Sequence, residues 1–199
     1  MTKTLISDLY KNLNIYLMPR LSTEIKEQIK NLSKDDLQQI VLKLASKEKV
    51  AYDYLWINYL NKENGEQELF EKTKTEIDLL TYKQYKGFSE QLRLANMLAA
   101  CVKRINEFKK ISNNKIMEAD LLLFVLEIPF SLPTDFFGTC FTKYDTKVAQ
   151  IVKRLITLVT KKLDEEYRAD YEDKINHYLK ILHQTSNHLE MIYDLPKSI

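Results

Sequence analysis

The side chains with the most chemistry to offer are three histidines, His177, His183 and His188, and one cysteine in an unusual setting, Cys140. A metal site built on helices wants histidines four residues apart, or carboxylates converging from a neighbouring helix. On one helix, His177 and His188 return to nearly the same face but stand about 16 Å apart, at about 1.5 Å per residue. One ion cannot be shared across that span, and the chain has no paired Glu-x-x-His motif, so no metal is expected. Cys140 lies in "FGTCFTKYD", close to the start of a helix, where a thiolate would be stabilised. A nucleophile also needs a base, and no histidine precedes His177. The cysteine therefore reads as a small apolar filler among Phe136, Phe137 and Phe141. Three isolated glycines make neither a phosphate loop nor a dinucleotide fingerprint. The sequence thus assigns no catalytic residue, no metal and no cofactor. A remote enzyme reading would need the 129–143 segment to gather Cys140 or buried acids with His177 or His188.

Charge offers a second class of function. Residues 101–162 hold eleven Lys and Arg against six Asp and Glu, whereas residues 163–199 reverse the balance. Lys147, Arg154 and Lys161 recur every seven residues on one helix stripe, with Lys153 and Lys162 beside them. With Lys103, Arg104, Lys109, Lys110 and Lys115 they form a candidate anion-binding face for nucleic-acid phosphates. No helix-turn-helix, aromatic ribonucleoprotein motif or zinc knuckle accompanies it, and the acidic 163–173 segment could neutralise it. Most carboxylates fall in first helical turns or on polar faces. Glu118, Asp120 and Glu127 differ, because they flank an otherwise apolar helix and so must either pair, for example with Arg104 or Arg154, or reach the surface.

Aromatic residues supply the preferred reading. Tyr52, Tyr54, Trp56 and Tyr59 crowd one helix on more than one face. Tyrosine and tryptophan dominate interface anchors, so Tyr54 and Trp56 are candidate contacts for a protein partner. A second candidate surface is the stretch "VLEIPFSLPTDFFGTCFTKYD", which gathers Pro129, Pro133, Gly138 and five aromatics. There Phe136 and Phe137 are the residues to watch. The prolines are expected to end a buried helix at Ile128 and to open a packed connector that closes one end of the core.

These residues need elements to position them. Only three glycines and four prolines occur in 199 residues, and 45% of the residues are hydrophobic. That composition suits an all-α fold, either a multi-helix bundle or a short stack of antiparallel helical hairpins. Apolar spacing predicts helices over 3–18, around Ile25 to Leu32, and after Ser33. Ser33 is an N-cap with Asp36 at the capping-box position. An aromatic helix follows, closed by Asn64-Gly65, and then helices over 66–83, 89–111, 115–128, 144–163 and 165–193. Leu94, Leu98, Cys101, Ile105 and Phe108 form a packing seam. One domain over 1–199 is expected, with hairpins in 1–83 and a helical core in 88–196. "LAACVKRINEF" and "VAQIVKRLITL" echo each other at an offset of fifty.

From "LRLANMLAACVKRINEFKKISNNKIMEADLLLFVLE" through "FFGTCF" into "KVAQIVKRL", the chain resembles a family of uncharacterised bacterial all-helical proteins. The likeness extends over about residues 32–165 and includes "LSKDDLQQIVLKLASK". It implies the helical fold and carries no activity with it. Asp8, Lys11 and Asn12 interrupt the apolar run that a signal peptide would need. The longest apolar run, "LLLFVL", is far below the roughly 20 residues of a membrane span. The expected protein is therefore a cytoplasmic, non-catalytic helical interaction module with a protein partner and no membrane. Nucleic-acid binding is the alternative.

Overall fold

The computed structural model describes residues 21–199, so the expected helix over 3–18 lies outside the described residues. Nine α-helices and no strands occur among the described residues, which confirms the all-α reading. The chain divides between Lys47 and Glu48. The helices on either side of residues 83–88 pack together, and both belong to the second unit.

In the N-terminal unit, α1 (Thr23–Lys30) begins at Ser22, whose Oγ accepts the Ile25 N–H at 3.3 Å. Helix α2 (Lys34–Lys47) starts at the expected Ser33 cap, whose Oγ accepts the Asp36 N–H at 3.1 Å. The Asp36 carboxylate then accepts from the Ser33 hydroxyl at 2.6 Å, closing the turn through the side chain. Along α2, Leu37 and Ala45 are half-buried, and Ile40, Val41 and Leu44 are exposed.

The second unit is built from α3 (Lys49–Leu55), a π turn (Trp56–Leu60), α4 (Gly65–Thr81), α5 (Glu90–Ile111) and α6 (Lys115–Ser131). After a 3-10 turn at Thr134–Phe136 come α7 (Thr142–Lys162), α8 (Glu165–Thr185) and α9 (Glu190–Tyr193). Helix α7 is the centre: α5, α6, α8 and α9 all pack on it, while α3 and α4 pack on α5. The expected seam is real, because Leu98, Cys101, Ile105 and Phe108 are buried on α5. Side chains of this size each contribute about 1.5–3 kcal/mol when removed from water.

Two boundaries differ from the sequence reading. Asn64-Gly65 does not end a helix; Gly65 begins one. A Cβ there would stand 3.0 Å from Ile57 Cα, so glycine lets α4 start hard against the preceding π turn. Pro129 does not end α6 either and lies buried inside its last turn. Its ring denies the Val125 carbonyl a donor. The next residue offsets that loss: the Phe130 ring stacks on Tyr178 at 4.0 Å and 9° and on Phe137 at 5.5 Å and 26°. The true stop is Pro133, which holds Leu132 in extended backbone.

The helix expected over 165–193 is broken as well. Ser186 ends α8, and its side chain is fully buried, donating to the Asp145 carboxylate at the start of α7. The same Asp145 oxygen accepts the Gly138 N–H at 2.8 Å. One buried carboxylate thus ties the 132–141 connector and the end of α8 to α7. Gly138 has φ +70, and a Cβ on it would run into the Thr185 carbonyl oxygen. Gly138→Ala is therefore expected to lose about 2–3 kcal/mol through left-handed strain and that clash. In a thermal melt this should lower Tm by about 5–10 °C. An unchanged Tm would show that the connector is not fastened here.

Candidate functional site: an aromatic and acidic pocket

Trp56, one of the two predicted aromatic contacts, opens the π turn. There the Asn61 N–H reaches back five residues to the Trp56 carbonyl at 2.7 Å. The Asn58 amide also donates to the Tyr54 carbonyl at 2.9 Å, a side chain inserted at the widened turn. Such single π turns recur at functional positions because they re-aim side chains out of helical register. Here the turn presents the indole to α4.

The result is a pocket of about 250 Å³ between α3, the π turn and α4. Its walls are Tyr52 and Trp56, near-parallel at 15° with ring centroids 6.2 Å apart. Two carboxylates line it. Glu68 is already engaged: its Oε2 accepts the Trp56 Nε1–H at 3.0 Å and its Oε1 accepts from Asn61 at 3.1 Å. Asp53 is 6% exposed, and its described cationic contact is Lys72 Nζ at 3.5 Å, the long end of an ion pair. Against these two acids the pocket holds, among the described residues, a single cation, the exposed Lys72. Tyr54 is 45% exposed, and its ring is tilted against Tyr59 at 6.2 Å. The sequence reading named the aromatics of this pocket and missed Asp53. The available signal was an acid three residues before the sole tryptophan, on a helix otherwise rich in aromatics.

The other predicted contacts separate. Phe137 is buried between Phe130 and Tyr144, so it serves the core and is closed to a partner; Phe136 is partly buried against the same core. Phe88, which the sequence reading passed over, is 85% exposed with its edge against Phe141. Cys140 is exposed, which corrects its reading as a packing filler, and it is unpaired. Cys101 is buried, and burial pushes its thiol up to about 11, which makes it inert as a nucleophile. His177 belongs to α8, whereas His188 lies past the break at Ser186 and so belongs to no common helix with it. His183 Nε2 is 3.0 Å from the Pro196 carbonyl. Among the described residues no group of His, Cys, Asp and Glu is arranged to hold a metal ion. None of their helices is long and apolar enough to cross a membrane.

The cations divide in a similar way. Arg104 pairs with Glu76 at 2.6 Å and with Glu107. Arg154 instead reaches Glu118, which is 1% exposed, placing Nη2 at 2.8 Å and Nε at 3.3 Å from Oε1. Lys109 and Lys115 each stand 3.4 Å from the same carboxylate. Asp120 accepts from the Tyr171 hydroxyl at 2.6 Å, and Glu127 pairs with Lys174 at 2.8 Å. Of the three acids on α6, Glu118 is buried and ion-paired and Asp120 is half-buried and hydrogen-bonded, while Glu127 reaches the surface. Around Glu118 the cations form a second pocket, lined by Lys109, Lys153, Arg154 and Lys162 of the expected face and by neither Lys147 nor Lys161. Lys147 donates instead to Gln150 at 3.0 Å.

Comparison with family models, with curated proteins and with solved structures finds no match for this chain.

Burial opposes the charge on Glu118, but the Arg154 hydrogen bond and the charges of Arg154, Lys109 and Lys115 outweigh it. They hold the carboxyl below its ordinary value of 4.5. A depressed folded-state pKa contributes stability above the unfolded pKa, and that contribution is lost as pH falls through the folded one. Glu118→Gln should cost roughly 1–3 kcal/mol at neutral pH, less than a fully buried pair because the cations reach solvent. The gap between variant and parent should close as pH drops below about 4.5 in denaturant melts. A gap that is constant with pH would contradict the ionised cluster.

Proposed function

We propose that the protein is a non-catalytic helical interaction module whose Trp56 pocket receives a lysine or arginine side chain from a partner polypeptide. The observation that carries this reading is Asp53: a buried carboxylate, lined by aromatic rings, with a single ammonium at 3.5 Å. A buried carboxylate gains most from a close, hydrogen-bonded cation, and Lys72 at that distance from an exposed position is a weak one. An incoming guanidinium or ammonium displaces Lys72 and lies against the faces of Tyr52 and Trp56. Cation–π attraction there adds about 0.5–2 kcal/mol. Exposed Tyr54 and Tyr59 flank the turn and extend the contact with the rigid aromatic area that interface anchors favour.

Trp56 is the sole tryptophan, so its fluorescence reports on the pocket directly. Titration with short peptides carrying Arg or Lys should give a saturable change, and matched peptides carrying Gln should give none. Asp53→Asn should weaken binding by about tenfold, the loss of one charge-assisted hydrogen bond. Lys72→Ala should tighten it by removing the resident competitor. Equal binding of the Gln peptides, or tighter binding by Asp53→Asn, would sink the reading.

A further inference from the structure

The pocket around Glu118 is a separate feature with the opposite charge. It is a concavity of about 400 Å³, with Lys109 from α5, Glu118 from α6, and Lys153, Arg154 and Lys162 from α7. Lys115 also reaches the Glu118 carboxylate. Three of these cations, Arg154, Lys109 and Lys115, contact the one buried anion, while Lys153 and Lys162 line the concavity beside them. Lys153 is also 3.5 Å from exposed Asp194. Glu118 acts as an internal counter-ion that lets the cations converge. It binds Nε and Nη2 of Arg154, while Nη1 donates to Asn106 at 2.7 Å. The guanidinium is therefore held in place. Lys109, Lys153 and Lys162 are exposed, and the first two are held only by long ion pairs of 3.4 and 3.5 Å, which a ligand can replace. Buried Leu158 gives the pocket an apolar patch beside them.

We propose that this pocket binds a small phosphorylated molecule bearing two or more phosphate charges. The excess of cations over acids is local and concave, which suits a compact polyanion. A nucleic acid would instead need a continuous track of cations, and Lys147 and Lys161 fall outside the pocket. Phosphate oxygens accept charge-assisted hydrogen bonds from Lys109 and Lys162, with the positioned Arg154 charge behind them. The site is independent of the Trp56 pocket, so the failure of either proposal leaves the other standing.

Inorganic pyrophosphate is the probe, titrated calorimetrically into the full chain at low salt. Saturable 1:1 binding is expected, weakening as salt rises. The double variant Lys109→Ala/Lys162→Ala should weaken it by about tenfold or more. Lys147→Ala/Lys161→Ala, which removes the same net charge from the stripe outside the pocket, should stay within about twofold. All four lysines are solvent-accessible, and matching circular dichroism melts will confirm that both variants fold. Absence of saturable binding, or equal weakening by the two double variants, would overturn the proposal. A single-stranded oligonucleotide that binds about tenfold tighter than pyrophosphate and responds equally to both variants would also overturn it, and would identify a nucleic-acid surface.

Discussion

Everything in the second unit follows from the burial of α7. Ten of its 21 residues are buried, from Tyr144 to Val159, because four other helices lie against it. A helix covered on so much of its circumference must bring every charged side chain out along what remains. That constraint, rather than any requirement of binding, first explains why its basic residues align every seven positions. It also fixes the fate of acids that cannot escape. Asp145, near the N-terminus of α7, is fully buried and keeps its place by accepting from Gly138 and Ser186. Glu118, facing α7 from α6, keeps its place by drawing Arg154 across the gap. The two buried carboxylates have different solutions, one through neutral donors, a backbone N–H and a serine hydroxyl, the other ionic.

The neutral solution organises the C-terminal half. Because Asp145 holds both Gly138 and Ser186, the connector after α6 and the break after α8 are one structural event. Phe137 is consequently drawn inward between Phe130 and Tyr144, and the aromatic richness of the connector becomes core material. The proline and glycine concentration in that stretch therefore serves closure of the fold. Pro133 forces the extended exit and Gly138 supplies the left-handed turn, while Pro129 is carried inside the helix by the stacking of its neighbour.

The helical class, the α5 seam and the Ser33 cap were legible because each depends on spacing along a single element. What escaped depends on contacts between elements. The apolar pattern of Leu182, Leu189 and Ile192 continues through Ser186 without a break, and only the distant Asp145 makes that serine a terminus. Gly65 looks like a stop in sequence, and its role as a start rests on the closeness of Ile57. Asp53 looks like an ordinary helix-surface acid until α4 covers it. The echo at an offset of fifty falls on α5 and α7, which pack on one another. Similar burial demands on two adjoining central helices are enough to account for the shared Val-Lys-Arg.

The net charge of +2 conceals two local fields of opposite sign. Around Trp56 two acids face one lysine, whereas Glu118 pairs with three cations in a concavity that two further lysines line. In each pocket a buried carboxylate comes first and determines the rest. Asp53 has little compensation, which is what makes a cation the proposed guest of its pocket. Glu118 has more than enough, so its surroundings favour an anion. The difference lies in the neighbouring helices: α4 offers Asp53 one flexible lysine at the limit of reach, whereas α5 and α7 deliver Lys109 and Arg154 to Glu118 from positions their packing already fixes. The two proposed binding preferences thus share one origin, the cost of removing a carboxylate from water, met where the supply of cations differs.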